Sequence, residues 1–222
     1  MGCKLVIFGA GNFLSDVFDA ALALGMVPAK VILNLPPDPT AEGISTAERI
    51  RRLEALGVHV QLQRIAEFEP GRDERYALGI SGPGKQVLLE EIDARFGVPF
   101  CNLIHPTAYV SALATLGSGL FVGARSVVAA GARLADHVVI NRASSVGHDT
   151  EIGPFSRLQP GATVCGLVRI GRGVTVGAGA TVIERMQIGE GATVSAGAVV
   201  VRDVAARTLV MGVPARFVKD LA

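Results

Sequence analysis

From Ile104 to Val200 the chain places an aliphatic residue at every sixth position without a slip: Ile104, Val110, Leu116, Val122, Val128, Leu134, Ile140, Val146, Ile152, Leu158, Val164, Ile170, Val176, Val182, Ile188, Val194 and Val200. Four residues after each start the side chain is usually small, as at Ala108, Ala114, Ser126, Ala132, Ser144, Thr150, Ser156, Ala162, Ala180, Ala192 and Ala198. Glycine often follows the start directly, as at Gly117, Gly123, Gly147, Gly153, Gly171, Gly177 and Gly189. A period of six is neither the 3.6 of a helix nor the two of a strand. A short strand, a tight corner and a second short strand produce it. Three such sides close a triangular coil, and the aliphatic starts then stack into ladders. This is the hexapeptide signature of a parallel β-helix. Large aliphatics belong inside and small residues where the corner pinches. The glycines are expected to supply corner conformations that other residues avoid.

The 222 residues leave about a hundred before the repeat, enough for a core of their own. Half the chain is hydrophobic, with 27 glycines and no tryptophan, which suits an aliphatic interior and glycine-rich corners. The 21 basic residues nearly balance the 20 acidic ones, and no charge run stands out, so nothing points to a nucleic-acid partner. No apolar run approaches the roughly 20 residues that span a bilayer. The opening, MGCKLVIFGAGN, reads as a strand entering a glycine turn rather than a signal peptide. Cys3, Cys101 and Cys165 form an odd set without metal-ligand spacing, so reduced thiols and a cytoplasmic location are expected.

Before the repeat, Lys4–Phe8 is a continuous apolar strand followed by Gly9-Ala10-Gly11-Asn12. The pattern predicts a helix over 15–24 and a second strand over 29–33 ending at Asn34. This order opens a Rossmann-like half. As a dinucleotide fingerprint it is incomplete: Leu14 replaces the third glycine and Asn34 the acidic residue expected after the second strand. A nicotinamide cofactor is therefore not expected. A phosphate or nucleotide sugar on the helix N-terminus, or a glycine turn needed only for packing, both fit. A loop is expected at 35–39, then a helix over 46–56 capped by Ser45 or Thr46, with Arg and Glu on its outer face. Strands over 58–62 and 75–80 lead to Ser81-Gly82-Pro83-Gly84-Lys85; a helix over 86–96 and a strand over 99–103 follow. The boundaries expected are 1–101 for the α/β domain, 102–205 for the β-helix and 206–222 for a tail.

Residues that break the repeat's bland pattern are the candidates for chemistry. His59 is placed in a strand, structural or exposed, and His105 at the solenoid entry, read as structural; His137 follows Asp136 at a corner that should face solvent. His148 stands in Val146-Gly147-His148-Asp149 with a carboxylate beside it. An imidazole titrates near pH 6.5, and an adjacent carboxylate raises its basicity and fixes its tautomer, which is what a general base needs. A solvated histidine beside an accidental aspartate also fits the spacing. Zinc between β-helices needs three converging imidazoles; His137 and His148, eleven apart, fall on different sides of a coil, so no metal is expected.

The run INRASSVGHDTEIGPFS at 140–156, Gly-Ala-Gly-Ala at 177–180 and Gly-Val-Pro-Ala-Arg at 212–216, with the Gly-Ala-Gly turn and Ile104-His105-Pro106, resemble the hexapeptide-repeat sugar acetyltransferases. That family includes sialic acid O-acetyltransferases and the bacillosamine and perosamine N-acetyltransferases. The resemblance spans nearly the whole chain and is looser in its first half. It implies an α/β plus β-solenoid fold: a Rossmann-like nucleotide-sugar-binding domain followed by a left-handed parallel β-helix. It implies a homotrimer with active sites between neighbouring β-helices, and acetyl transfer from acetyl-CoA to an amine or hydroxyl of a sugar, often a nucleotide-linked 4-amino-4,6-dideoxy sugar. His148 becomes the general base and Asp149 its carboxylate. A backbone N–H near Gly166 would receive the oxyanion. CoA would lie along Gly166, Ala178 and Ala196, with Arg216 near a phosphate. Asn141 would face the acceptor, and the nucleotide would rest on Gly9, Gly11, Asn12, Phe13, Asn34 and the Ser81-Gly82 turn.

Three departures from the family pattern stand out. Arg157 occupies the position of a second histidine, nine residues after the base, and is assigned to an anionic or CoA contact. Asn34-Leu35 replaces an acidic pair. An extra helix lies between Asn34 and His59. Two other functions remain open on the residues alone: O-acetylation of a free sugar acid such as sialic acid, and a non-catalytic trimeric scaffold that binds a ligand.

Overall fold

The computed structural model describes residues 3–34, 44–82 and 84–221, so the loop expected at 35–39 lies outside the described residues. The chain forms two compact units, Met1–Leu103 and Ile104–Ala222. In the first, β1 (Lys4–Phe8), α1 (Leu14–Ala23), β2 (Val27–Leu33), α2 (Thr46–Glu54), β3 (Gln61–Arg64), β4 (Glu74–Leu78) and α3 (Lys85–Arg95) follow one another. The strands make one parallel sheet in the order β3-β2-β1-β4. Parallel strands are covered on both faces, and β1 is accordingly apolar throughout and buried from Leu5 to Phe8. Its last residue, Phe8, packs edge-on to Phe68 at 5.1 Å between ring centroids and beside Tyr76, Phe96 and Phe100.

Three expectations for this unit shift. β3 starts at Gln61 rather than 58, which leaves His59 exposed and outside any strand. The strand expected at 99–103 reduces to one bridge, Tyr76 to Phe100, plus Leu103–Ile104, because Pro99 offers no N–H to a ladder. Helix α2 is capped by the Ser45 hydroxyl, which accepts the Glu48 N–H at 3.1 Å as expected. Not all of its arginines face out, however: Arg49 shares the inner face with Ile50 and Leu53 and is 7% exposed.

The second unit is a left-handed parallel β-helix. Two-residue strands pair in parallel with those eighteen positions on, such as Val139↔Arg157 and Ile140↔Leu158, and stack into three sheets. The repeating aliphatic residue points inward on every side, so Ile140, Leu158, Val176 and Val194 form one ladder of the core. From Leu120 to Ala180 the residue four positions later is buried as well. Where it is Ser126, Ser144, Thr150 or Ser156, its hydroxyl donates to a carbonyl fifteen residues on, for example Thr150 Oγ1 to Cys165 O at 2.9 Å. A polar group inside the coil is thereby satisfied within the coil.

The corner glycines act differently from the expectation. Those directly after the aliphatic residue do not adopt left-handed backbone; they are there because the next coil lies against them. A Cβ on Gly147 would come within 2.4 Å of the Cys165 carbonyl carbon. Left-handed backbone falls two residues later, at the third corner position, in every coil from Gly119 to Gly197. Half of those positions are not glycine, and Asp149 (φ 53°) and His137 (φ 58°) are among them. The stretch beyond 205 holds two strands: Thr208–Met211 continues one sheet in parallel, and Arg216–Asp220 pairs with it antiparallel.

Candidate active site

Within the β-helix, His148 and Asp149 occupy the second and third corner positions after Val146. Asp149 sits in left-handed backbone, which short polar side chains tolerate better than most, and its N–H donates to Ala130 O at 3.0 Å. That backbone turn brings its carboxylate back along the corner, where Oδ2 lies 2.9 Å from His148 Nδ1. Both side chains are about 60% exposed (62% and 61%). An exposed pair of this kind adds little to stability, so its consequence is geometric. With Nδ1 held by the carboxylate, Nε2 carries the lone pair.

Nε2 lies over Gly166, eighteen residues on. A Cβ at Gly166 would sit 2.5 Å from Nε2 and 2.8 Å from the two adjacent ring carbons. The imidazole therefore has its place only because residue 166 has no side chain. Gly166 is buried beneath the ring. Its neighbours' N–H groups are committed, Cys165 to Val182 O and Leu167 to His148 O, whereas the Gly166 N–H donates to nothing among the described residues. A base nitrogen and an uncommitted backbone donor thus meet at one corner.

The other residues expected at the site are spread out. Ala178 and Ala196 stack on a different corner column, eighteen residues apart, and are exposed. Asn141 is 7% exposed, and its Oδ1 accepts the Arg142 N–H at 2.8 Å. Arg157 lies on the outward side of a strand, half-buried, with Nε donating to Thr175 Oγ1 at 3.0 Å; burial lowers the pKa of its guanidinium. Arg216 opens the exposed last strand. His105 Nδ1 accepts the Thr107 N–H at 3.2 Å and serves the first corner. His137 is not solvated as expected: it is 7% exposed and stacks on Phe155 at 5.4 Å, under Arg172. Among the described residues no three His, Cys, Asp or Glu side chains gather as metal ligands, and the three cysteines are free.

The residues assigned to nucleotide binding gather at the carboxyl edge of the first unit's sheet. The strand order reverses between β1 and β4, and open α/β sheets bind ligands at such a switch point. There the Gly9–Asn12 turn leaves β1, and Ser81-Gly82 follows β4. The two turn glycines differ. Gly9 (φ 81°) is demanded by the fold, since a Cβ would meet Leu88 at 2.9 Å and Ile80 at 3.0 Å. Gly11 is not: the nearest atom to its Cβ would be 3.9 Å away and its backbone is ordinary. Phe13 is buried under the start of α1, which has no side-chain cap, and Asn34 is half-buried at the end of β2. One residue here went unnoticed in the sequence. Arg49 of α2 donates from Nε to Ser15 Oγ at 2.9 Å, from Nη2 to Asn12 Oδ1 at 2.7 Å, and from Nη1 to Ile44 O. Its spacing four before the inward Leu53 was the available signal.

No family model matches the chain. Among solved structures, the acetyltransferase domain of PglB from Neisseria gonorrhoeae FA1090 is 30% identical, with a TM-score of 0.81 over 98% of this chain and 100% of that one. The same domain in complex with acetyl coenzyme A matches with a TM-score of 0.79, 30% identity and the same coverage. A single-residue variant of perosamine N-acetyltransferase from Caulobacter crescentus, in complex with CoA and GDP-perosamine, is 29% identical, with a TM-score of 0.79 over 98% of this chain and 97% of that one.

Proposed function

The chain belongs to the hexapeptide-repeat sugar acetyltransferases, and on that premise we propose that it acetylates the amine of a nucleotide-linked 4-amino-4,6-dideoxy sugar with His148 as general base. It is an acyltransferase that uses acetyl-CoA and acts on a sugar. The observation that carries the finer reading is the arrangement of His148: Nδ1 tied to Asp149 at 2.9 Å, Nε2 over the bare backbone of Gly166.

In the mechanism this supports, the acceptor nitrogen attacks the thioester carbonyl directly. His148 Nε2 takes the proton that nitrogen loses, and Asp149 stabilises the imidazolium without itself being protonated. The carbonyl oxygen gains charge as the new bond forms and is met by the Gly166 N–H. Collapse expels the thiolate, to which the imidazolium returns a proton. No side chain is acylated. The acceptor's nucleotide rests on Gly11, Asn12, Asn34 and the Ser81-Gly82 turn. Ala178 and Ala196 stand on a different corner from Gly166, so we read the CoA wall as shared between neighbouring protomers of a homotrimer. Exposed Tyr109 (62%) and Leu113 (74%) on the β-helix are consistent with such burial. Arg157 and Arg216 are assigned to the anionic groups of CoA. The setting is cytoplasmic, in the supply of modified sugars for polysaccharide assembly.

The test is thiol release from acetyl-CoA against nucleotide-linked 4-amino sugars, free amino sugars and sialic acid, with His148→Ala in parallel. Release with a nucleotide-linked 4-amino sugar, reduced about a thousandfold in the variant, is expected. Release with sialic acid alone would replace the acceptor assignment. Undiminished turnover by His148→Ala would remove the base.

A further inference from the structure

We propose that Arg49 is a positioning residue that makes the carboxyl edge of the first unit's sheet select a diphosphate group, so that a sugar without one is bound poorly. The inference rests on the nucleotide-linked acceptor proposed above and deepens it.

Arg49 brings a guanidinium to the carboxyl edge of the sheet from a helix that lies after β2. At 7% exposure it is desolvated, yet among the described residues no carboxylate lies within ion-pairing distance of it. Among the described residues its hydrogen bonds go to neutral oxygens, those of Ser15, Asn12 and Ile44. A desolvated charge left without a counter-ion is unfavourable, and an anion brought near it is correspondingly favoured.

The same contacts fix what that edge presents. Asn12 is exposed, and its Oδ1 is held by Arg49 at 2.7 Å, so the carboxamide offers its two N–H donors to whatever lies on the turn. Beside it, Gly11 leaves backbone bare where the fold does not ask for glycine. At the end of β2 stands neutral Asn34 rather than the carboxylate that accepts ribose hydroxyls in dinucleotide folds. Donors and positive charge are gathered where an acidic acceptor of hydrogen bonds would otherwise be. A group rich in acceptors and negative charge fits that edge, and a diphosphate is the one a nucleotide-linked sugar carries.

The experiment is calorimetric titration of the whole protein with UDP, GDP, dTDP, the matching nucleosides and inorganic pyrophosphate, with acetyl-CoA titrated alongside. Binding of at least one nucleoside diphosphate is expected, displaced by pyrophosphate, with its nucleoside at least 100-fold weaker. Arg49→Gln should weaken the diphosphate roughly 30-fold and leave acetyl-CoA within twofold, and Arg49→Lys should fall between. Asn12→Asp separates positioning from mere structure. It keeps the oxygen that Arg49 holds and sets a carboxylate against the guanidinium, so it should abolish diphosphate binding while thermal stability holds or rises. Wild-type affinity in Arg49→Gln or in Asn12→Asp would overturn the proposal, as would nucleosides binding as tightly as their diphosphates. If no nucleotide binds the wild type while acetyl-CoA does, the inference falls together with the nucleotide-linked acceptor, and acetyl transfer stands.

Discussion

In the β-helix the second corner position is filled in successive hexads by Ser118, Ala124, Ala130, Asp136, Arg142, His148, Pro154, Pro160, Gly166, Arg172, Ala178, Glu184, Glu190 and Ala196. In the α/β unit no position recurs, and Arg49 has no equivalent to be compared with. One half of the molecule contains its own alignment, because the same backbone environment is repeated and each side chain can be read against those eighteen residues away. An imidazole at one corner and a missing side chain at the corner above it are exceptions to a visible rule. The other half has no rule of that kind, so its exceptional residue looks like any arginine on an amphipathic helix.

Substitutions can break this equivalence of the coils. The largest effect is expected for Gly147→Ala. Its Cβ meets the backbone of Cys165 and Gly166 at 2.4–2.6 Å, which cannot move aside, so a loss of about 3 kcal/mol is expected in urea denaturation. Gly166→Ala is the same substitution one coil and one corner position on, but its Cβ meets the His148 ring instead. The ring can rotate away, so the melting temperature should shift by only a few degrees while kcat falls about a hundredfold. If both variants simply unfold, residue 166 is no more than another packing glycine. Asp149→Asn keeps a side chain that accepts left-handed backbone, and thiol-release kinetics should show kcat lower by about tenfold without loss of the fold.

The smallest effect is expected in the α/β unit. Burial opposes ionisation of Glu74, but Lys30 Nζ at 2.6 Å, the Gly71 N–H at 2.8 Å and the Tyr76 hydroxyl at 3.3 Å outweigh it and hold the carboxyl below the usual carboxylate range. A depressed folded pKa stabilises above the unfolded value and is lost as pH falls through the folded one. Stability should therefore decline on acidification, and Glu74→Gln should flatten that decline in urea melts at pH 7 and pH 4. A slope unchanged by the substitution would assign the acid sensitivity elsewhere.

The fold was legible where spacing dictates it. Seventeen aliphatic residues in register leave no other architecture, and β1 and α1 were placed within a residue by apolar runs ended by glycine. The histidine–aspartate pair was legible too, because adjacent residues stay adjacent. What spacing does not carry is contact across the fold. The eighteen-residue coil does place His137 and Phe155 on one corner, but the burial of His137 there does not follow from the spacing, and the reach of Arg49 to Asn12 spans 37 positions and a helix whose orientation no local pattern encodes. The glycines after each aliphatic residue were read as conformational and proved steric, since a single strand does not reveal how closely its neighbour lies.

The antiparallel pairing of Arg216–Asp220 has a consequence for how large an assembly this chain can join. A parallel ladder of identical coils has no intrinsic terminus, and the last rung of a solenoid is a template on which a further chain can add. Reversing the final strand and exposing it, with Arg216, Lys219 and Asp220 along it, turns that template into a charged edge of the wrong polarity for another coil. A coil added along the axis of that sheet would meet those five residues running the other way. In that sheet the hairpin works against end-to-end addition, and a variant without it would be expected to accept further strands there more readily.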